Sequence, residues 1–391
     1  MQTSKLKIVV ACANFPDVYS GGRYHATSTA IALALAGNEV VLWTNLIPPF
    51  IKDFEEDIAA SRLELFVDEK FSGTPDIDAD VVIVAPHMGR FQELFSRATR
   101  FAQDSSALLA MINFETPNWY NQIAPEPRDP ELWSSYVELA NSSHLVLSIS
   151  GQSNEYARDY YSSKGSNAKF DYVYPAINTT VADAVEAPEK QQQIVCITRI
   201  SMRHAHKGAS ELETAIHSIP SGYTLALITG NPNIDKELLE RIEASAREAG
   251  VKLRFLMQLS DAEKFRVIKE SRLMLFLSRF EGYGYPPVEA QYCGTPCVAY
   301  DLPVLREVSK DMISYVECQD AVALKAAINS ALTGNHAPSE QLRSNVAEFS
   351  MPRNVGELLS AKLLTYLAEH EPDSKPLLAR LKNLFKRQRP A

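Results

Sequence analysis

Two glutamates in one short segment, Glu281 and Glu289, are the side chains best placed to do chemistry in this chain. They enclose Gly282-Tyr-Gly-Tyr-Pro-Pro287, which follows an apolar run. Glycines allow tight turns and close approach of a ligand, and prolines suit the first turn of a helix. The N-terminus of such a helix attracts phosphate, and a carboxylate at Glu289 can accept hydrogen bonds from ribose hydroxyls. The segment therefore predicts a nucleotide site, with an ordinary loop carrying two incidental acids as the alternative.

A basic segment, Ile197 to Gly208, follows another apolar run. Arg199 and Lys207 are expected to project into a cleft, where two cations would neutralise a departing diphosphate. His204 and His206 are extra basic residues here, and their alternative interpretation is a pair of surface loop residues. No third ligand accompanies this His-x-His pair, so the pattern predicts no metal site.

A third glycine-containing segment, Ser20-Gly-Gly-Arg23, precedes a predicted helix near the start of the chain. Gly21 and Gly22 before a helix again favour an anion-binding site. The alternative is a simple turn with an N-terminal cap.

The elements that must position these residues are short apolar strands alternating with helices. Strands that are apolar throughout indicate parallel sheets covered on both faces. The pattern predicts two doubly wound domains, residues 1–178 and 190–350, with a polar linker over Ala182 to Gln193. Ligands bind such sheets at the carboxyl ends of the strands, so the cleft between the domains is the expected site. Predicted strands are 7–12, 39–43, 63–67, 81–85, 107–112, 145–149, 194–198, 223–229, 252–256, 272–277 and 296–300.

The segment from Glu281 to Glu289 resembles the signature of the family 4 retaining glycosyltransferases with the GT-B fold, in which two glutamates bracket a Gly-x-Gly-x-Pro core. The segment Asp301 to Val308 also resembles that family. The resemblance implies an α/β GT-B fold, with two Rossmann-like domains facing across a cleft and a C-terminal helix, residues 351–371, that crosses back to the first domain. The residues it implies as catalytic are Glu281, Arg199 and Lys207. Those it implies as donor-binding are Glu289, Gly282, Tyr283, Gly284, Tyr285, Gly21 and Gly22. Glu115 is added to the expected donor-binding residues as a candidate of this chain.

The chain departs from the family after the predicted strand 107–112. Many members have a histidine near this strand end, whereas here the sequence is Asn113-Phe-Glu-Thr-Pro-Asn-Trp119. Glu115 or Asn113 is a candidate to contact the sugar instead. His87 follows an earlier strand and is a further candidate, with a histidine bonded only to the backbone as its alternative.

The resemblance implies transfer of a sugar, with retention, from a nucleoside diphosphate sugar to a glycan or lipid-linked acceptor. It implies no cofactor and no metal. The form of the motif is similar to that of bacterial polysaccharide and O-antigen mannosyltransferases, which favours GDP-mannose as donor, then a UDP-sugar. Two alternatives are a nucleotide-sugar epimerase or phosphorylase on the same fold, and a catalytically silent nucleotide-sugar-binding protein.

Composition sets the remaining expectations. The chain has 391 residues and a net charge of −9, which suits two globular domains and argues against general nucleic-acid binding. Its 5 cysteines show no metal-ligand spacing, and no stretch approaches the ~18–20 apolar residues of a membrane span. A cytoplasmic protein is therefore expected.

The last segment, residues 372–391, is a basic tail. Its leucines fall at helical spacing between lysines and arginines over 375–391. This pattern predicts a helix lying on an anionic membrane, which would place the protein peripherally on the inner face. The alternatives are a solvated tail and a helix packed on the body of the protein.

Overall fold

The structure is a computed structural model. It describes residues 5–16, 20–87, 92–123, 131, 133–186, 188–230 and 232–370. The basic tail predicted over 372–391 lies outside the described residues.

The first domain is built on a parallel sheet of 7 strands in the order β3-β2-β1-β4-β5-β6-β7. Its central strands are buried along almost their whole length, because helices cover both faces of the sheet. The strands are β1 Lys7–Cys12, β2 Glu39–Thr44, β3 Leu63–Val67, β4 Val81–Ala85, β5 Leu108–Asn113, β6 Leu145–Ser148 and β7 Lys169–Tyr172.

The helices of this domain begin just beyond strand ends or short loops. Ser20 caps the first helix, because its hydroxyl accepts a hydrogen bond from the Arg23 N–H at 3.4 Å. The helices are α1 Gly21–Leu35, α2 Glu55–Ala59, α3 Gln92–Asp104, α4 Pro117–Tyr120, α5 Ser134–Ser142, α6 Gly151–Ser163 and α7 Thr179–Ala184.

The second domain has a parallel sheet of 6 strands in the order β10-β9-β8-β11-β12-β13. The strands are β8 Gln193–Ile197, β9 Thr224–Thr229, β10 Lys252–Met257, β11 Leu273–Phe276, β12 Cys297–Tyr300 and β13 Ser314–Val316. The helices are α8 Leu212–Ala215, α9 Lys236–Glu248, α10 Asp261–Glu270, α11 Tyr285–Tyr292, α12 Pro303–Ser309, α13 Ala321–Leu332, α14 Ser339–Ser350 and α15 Pro352–His370. Both sheets place the crossover from one half to the other beside β1 or β8, and this is where doubly wound sheets bind ligands.

The last of the described helices, α15, packs against α1 of the first domain. Gly356 makes this contact close, since a Cβ there would overlap the Ala32 carbonyl. Within the described residues the chain thus crosses between domains twice, and the two crossings touch: the Ile177 N–H donates to the Ser350 carbonyl at 3.0 Å.

The predicted fold, two doubly wound parallel sheets, is confirmed. Two strands, β7 and β13, were not predicted, because β7 is polar and β13 is only three residues long. The linker is shorter than predicted, since Ala182 belongs to α7 and Gln193 begins β8. The connection between β8 and β9 is not one continuous helix: a 3-10 segment occupies Met202–Lys207, and the short α8 and another 3-10 turn follow.

Candidate active site

A cavity of about 330 Å³ lies between the two domains, at the carboxyl ends of the strands. Its first-domain wall comes from the ends of β1, β4 and β5 and from the start of α1. Its second-domain wall comes from the segments after β8 and β11. The predicted cleft residues that line it are Gly21, Gly22, Glu115, Arg199, Lys207, Glu281, Gly282, Tyr283, Gly284 and Tyr285.

Lys207 and Glu281 form an ion pair inside this cavity. The Lys207 Nζ lies 3.0 Å from the Glu281 Oε2, and the two side chains are 26% and 14% exposed. The same ammonium donates to the Phe280 carbonyl at 3.2 Å. Gly208 fixes where Lys207 stands: it has a φ of 81°, and a Cβ there would overlap the Leu277 carbonyl. The Phe280 carbonyl and the Glu281 carboxylate thus hold the Lys207 ammonium beside the carboxyl end of β11.

Arg199 and both histidines of the basic segment also line the cavity. His206 is only 3% exposed, and its ring packs edge-on against Tyr120 and Phe280 with centroids 5.2 and 6.2 Å away. The interpretation of His206 as a surface loop residue is therefore wrong, because the 3-10 turn directs it inward against aromatic rings.

The glycine turn at the start of α11 brings the domains into contact. Gly284 has a φ of 95° and caps α11, as the motif requires. A Cβ at Gly282 would lie 2.7 Å from the Phe114 carbonyl oxygen of the first domain. The Gly282 carbonyl accepts a hydrogen bond from the Ser150 hydroxyl at 2.7 Å. Only glycine allows the two backbones to approach this closely.

Glu289, the predicted ribose ligand, is absent from the described cavity lining. It is 3% exposed, and its Oε1 lies 2.7 Å from the Lys264 Nζ. That ammonium also bonds Asp261, at 2.6 Å. Burial raises the pKa of Glu289, while the Lys264 charge opposes this rise. The carboxylate is therefore committed to a buried lysine in this arrangement of the domains.

The buried lysine belongs to a network that joins both domains. The Tyr24 hydroxyl, on α1, donates to the Asp261 Oδ2 at 2.9 Å. The Asn178 amide donates to the same oxygen at 3.1 Å. Sequence reasoning did not find this network; the only signal for it was an acid and a lysine three residues apart at the start of α10.

A second contact between domains was also missed. Glu307, on α12, accepts hydrogen bonds from the Gly151 and Gln152 N–H groups at 2.7 and 3.0 Å. It also accepts one from the Tyr174 hydroxyl at 2.8 Å. A carboxylate from one domain thus occupies the positive N-terminus of a helix, α6, in the other.

The strand end without the family's histidine is polar and partly buried. Asn113 is 1% exposed and donates to the hydroxyls of Ser148 and Ser153 at 3.2 and 3.0 Å. Asn113, Glu115 and His87 all line the cavity. All three candidates named for sugar contacts are therefore within its wall.

The described residues also bear on metal binding and on membranes. None of their His, Cys, Asp and Glu side chains form a group of three or more placed to hold a metal ion. Within the same part of the chain, no helix has the length and apolar character needed to cross a membrane.

Two Rossmann-like domains with a cleft between their strand ends define the GT-B class. Residues 179–349 match the family model "Glycosyl transferases group 1". The match covers the second domain, which supplies Arg199, Lys207 and Glu281, and with the fold it supports a glycosyltransferase of the GT-B class.

One curated relative is the O-antigen chain mannosyltransferase RfbU of Salmonella typhimurium, 24% identical over 189 residues. The alignment spans 46% of this chain and about half, 47%, of that relative.

Solved structures share the whole fold. HepE of Anabaena, in complex with UDP and glucose, matches with a TM-score of 0.66 and 14% identity over 92% of this chain and 100% of its own. Sucrose-phosphate synthase of Thermosynechococcus elongatus matches with a TM-score of 0.70 and 18% identity over 93% and 100%.

Proposed function

We propose that the chain is a retaining glycosyltransferase that takes a sugar from a nucleoside diphosphate sugar. One observation carries the proposal: Arg199, Lys207 and Glu281 lie together in the cavity between the two sheets. Arg199 and Lys207 bind the diphosphate and stabilise its charge as the glycosidic bond breaks. Glu281 holds Lys207 in place and faces the transferred sugar.

Retention without a covalent nucleophile fits a front-face displacement. The leaving phosphate then accepts the proton of the attacking hydroxyl while that hydroxyl bonds to the anomeric carbon on the face that the phosphate leaves. The close approach of Gly282 to the Phe114 carbonyl, together with the hydrogen bond from the Ser150 hydroxyl to the Gly282 carbonyl, supports this chemistry, because a closed cleft limits water around the donor. No metal or other cofactor takes part in the proposed reaction.

GDP-mannose is the favoured donor and a UDP-sugar the next. The similarity to a mannosyltransferase of O-antigen chains supports the first, and the solved structure that contains UDP and glucose supports the second. The acceptor is a glycan or a lipid-linked glycan of a bacterial surface polysaccharide. A cytoplasmic enzyme, held at the inner face of the membrane by residues 375–391, would meet such an acceptor.

The predicted role of Glu289 in ribose binding needs a different arrangement from the one described. Its carboxylate bonds Lys264 and lies behind the cavity wall. Because Lys264 belongs to the same domain as Glu289, we propose that Glu289 reaches the ribose only after this ion pair has broken. Replacing it with Ala then weakens donor binding, and unchanged binding refutes the role.

The test is a panel of nucleotide sugars, measured first by thermal stabilisation and then by release of the nucleoside diphosphate. A ligand of the folded state raises the unfolding midpoint, and GDP-mannose is expected to raise it most. Lys207→Met should lower turnover by about 10²-fold, since it removes a charge that stabilises the leaving group. Lys236→Met, an exposed lysine at the start of α9, is the matched control and keeps full turnover. If no nucleotide sugar stabilises the protein, the proposal fails.

A further inference from the structure

Arg23 is a cation of the cavity wall that the proposed donor chemistry does not use. It lies in the first turn of α1, and it lines the same cavity as Arg199 and Lys207. Those two residues come from the second domain, whereas Arg23 belongs to the first. The first domain is the half that the proposed function leaves to the acceptor.

The Arg23 side chain is held in one orientation by first-domain groups. Its Nε donates to the Ala13 carbonyl at 3.2 Å, and its Nη1 donates to the Ser20 hydroxyl at 2.9 Å. The guanidinium carbon lies 4.3 Å from the centre of the Phe15 ring. The hydrogen bonds and the ring contact fix the orientation of the planar guanidinium. An arginine fixed in this way can present N–H groups to both oxygens of a phosphate or carboxylate.

The charge of Arg23 is poorly solvated and lacks an anionic partner in the described contacts. Its polar partners among the described residues are a carbonyl and a hydroxyl. Burial is the main cause that lowers its pKa to about 10, and nearby Arg199 lowers it further, so the group stays charged at neutral pH. An anion placed here gains strongly, because it compensates a charge already removed from water.

On the second-domain wall of the cavity, unlike at Arg23, a carboxylate lies beside a cation. Glu281 already offsets Lys207 at 3.0 Å. The proposed function assigns both cations of that domain, Arg199 and Lys207, to the diphosphate, which leaves Arg23 without an assigned ligand.

We propose that Arg23 recognises a negatively charged group, a phosphate or a carboxylate, on the acceptor. The inference rests on the proposed function, and it adds the chemical class of the acceptor: an anionic glycan or glycan phosphate rather than a neutral sugar. Arg23 acts here as a specificity-determining residue and takes no part in bond breaking.

The experiment measures binding of small probes to protein saturated with the nucleoside diphosphate that stabilises it most. Methyl phosphate, glucuronate and neutral methyl glucoside are titrated by calorimetry at constant ionic strength. Wild-type protein should bind one of the two anions at least about tenfold more tightly than methyl glucoside, a difference of ~1.4 kcal/mol. Whichever anion binds more tightly shows whether the acceptor group is a phosphate or a carboxylate.

Arg23→Gln should weaken binding of that anion about tenfold and leave nucleoside diphosphate affinity within about twofold. Arg97→Gln, an exposed arginine on α3, is the matched control and changes neither. Arg23→Lys keeps the charge without the fork, so it should give a smaller loss, and it replaces the glutamine variant if that protein does not fold.

Two results overturn the inference: equal binding of the anions by wild type and Arg23→Gln, or a loss confined to the nucleoside diphosphate, which would assign Arg23 to the donor. Failure of the wild type to bind either anion overturns it as well. If no nucleoside diphosphate binds, the proposed function fails, and titration of the same probes into the free protein still decides the role of Arg23.

Discussion

Glu281 and Glu289 belong to one motif, yet the structure gives them opposite surroundings. Each carboxylate meets one lysine, Lys207 at 3.0 Å and Lys264 at 2.7 Å. The first pair lies in the cavity, whereas the second is buried beneath it, with side chains only 11% and 5% exposed. Spacing along the chain therefore does not decide which acid meets a ligand. The element that supplies the lysine decides it: a turn after β8 in one pair and helix α10 in the other.

The comparison predicts a large difference in stability between two lysine variants. Lys264→Met leaves Asp261 and Glu289 buried without a cation, so it should lower the free energy of unfolding by ~3–5 kcal/mol. Lys207→Met breaks a pair that water still reaches, and it should cost ~1 kcal/mol. Urea unfolding of both variants measures the difference. Equal losses would show that the two pairs are not energetically distinct.

A third carboxylate, Glu307, sharpens the comparison because it bonds N–H groups rather than a lysine. Glu307→Gln removes the charge that faces the N-terminus of α6, and it should destabilise the protein by ~1–2 kcal/mol. The glutamine keeps the size of the side chain, so packing is preserved. Glu317→Gln, at an exposed position of the same domain, provides the control and should be neutral. A Glu307 variant as stable as this control would mean that the contact between domains contributes nothing.

The effect that is smallest at neutral pH, and grows only as the pH falls, concerns His25, which reaches the segment between the two glutamates. Its Nδ1 lies 3.5 Å from the Tyr285 hydroxyl, and burial lowers the pKa of His25 to about 3. The folded protein keeps this ring neutral, whereas the unfolded chain protonates it below pH ~6.5. Stability from this source is therefore complete above pH 6.5 and falls by ~1.4 kcal/mol per pH unit as the pH drops towards 3.

The measurement compares the pH dependence of unfolding in wild type and His25→Gln. Asp53 has the opposite effect over part of the same range, because burial is the main cause that raises its pKa to about 6. The folded protein therefore takes up this proton before the unfolded chain does, which stabilises the folded state as the pH falls below 6. Because Asp53 is unchanged in the variant, the difference between the two slopes isolates His25. Parallel curves between pH 6 and 4 would show that the ring is protonated in the folded state.

Much of the fold and part of the candidate site follow from sequence. Strand β4 is apolar throughout and β1 is apolar after Lys7, so the positions of such buried parallel strands can be predicted from the sequence. Glycines such as Gly284 also predict the turns in which they lie. The buried role of Glu289 could not be predicted, because it depends on Lys264, which approaches from a separate helix. The contact of Glu307 with α6 could not be predicted either, since it joins two domains and no local pattern specifies their relative placement.

The pair of chain crossings has a mechanical consequence. Residues near Ile177 and Ser350 form two adjacent connections, joined by a backbone hydrogen bond of 3.0 Å, while α15 is anchored along α1. A single connection would act as a swivel. Two adjacent connections allow the domains to bend relative to each other about one axis and resist rotation of one domain about the connection. Each time the domains open and close again, the carboxyl ends of the two sheets should therefore return to the same alignment. The site between them then reforms without a rotational rearrangement of the domains.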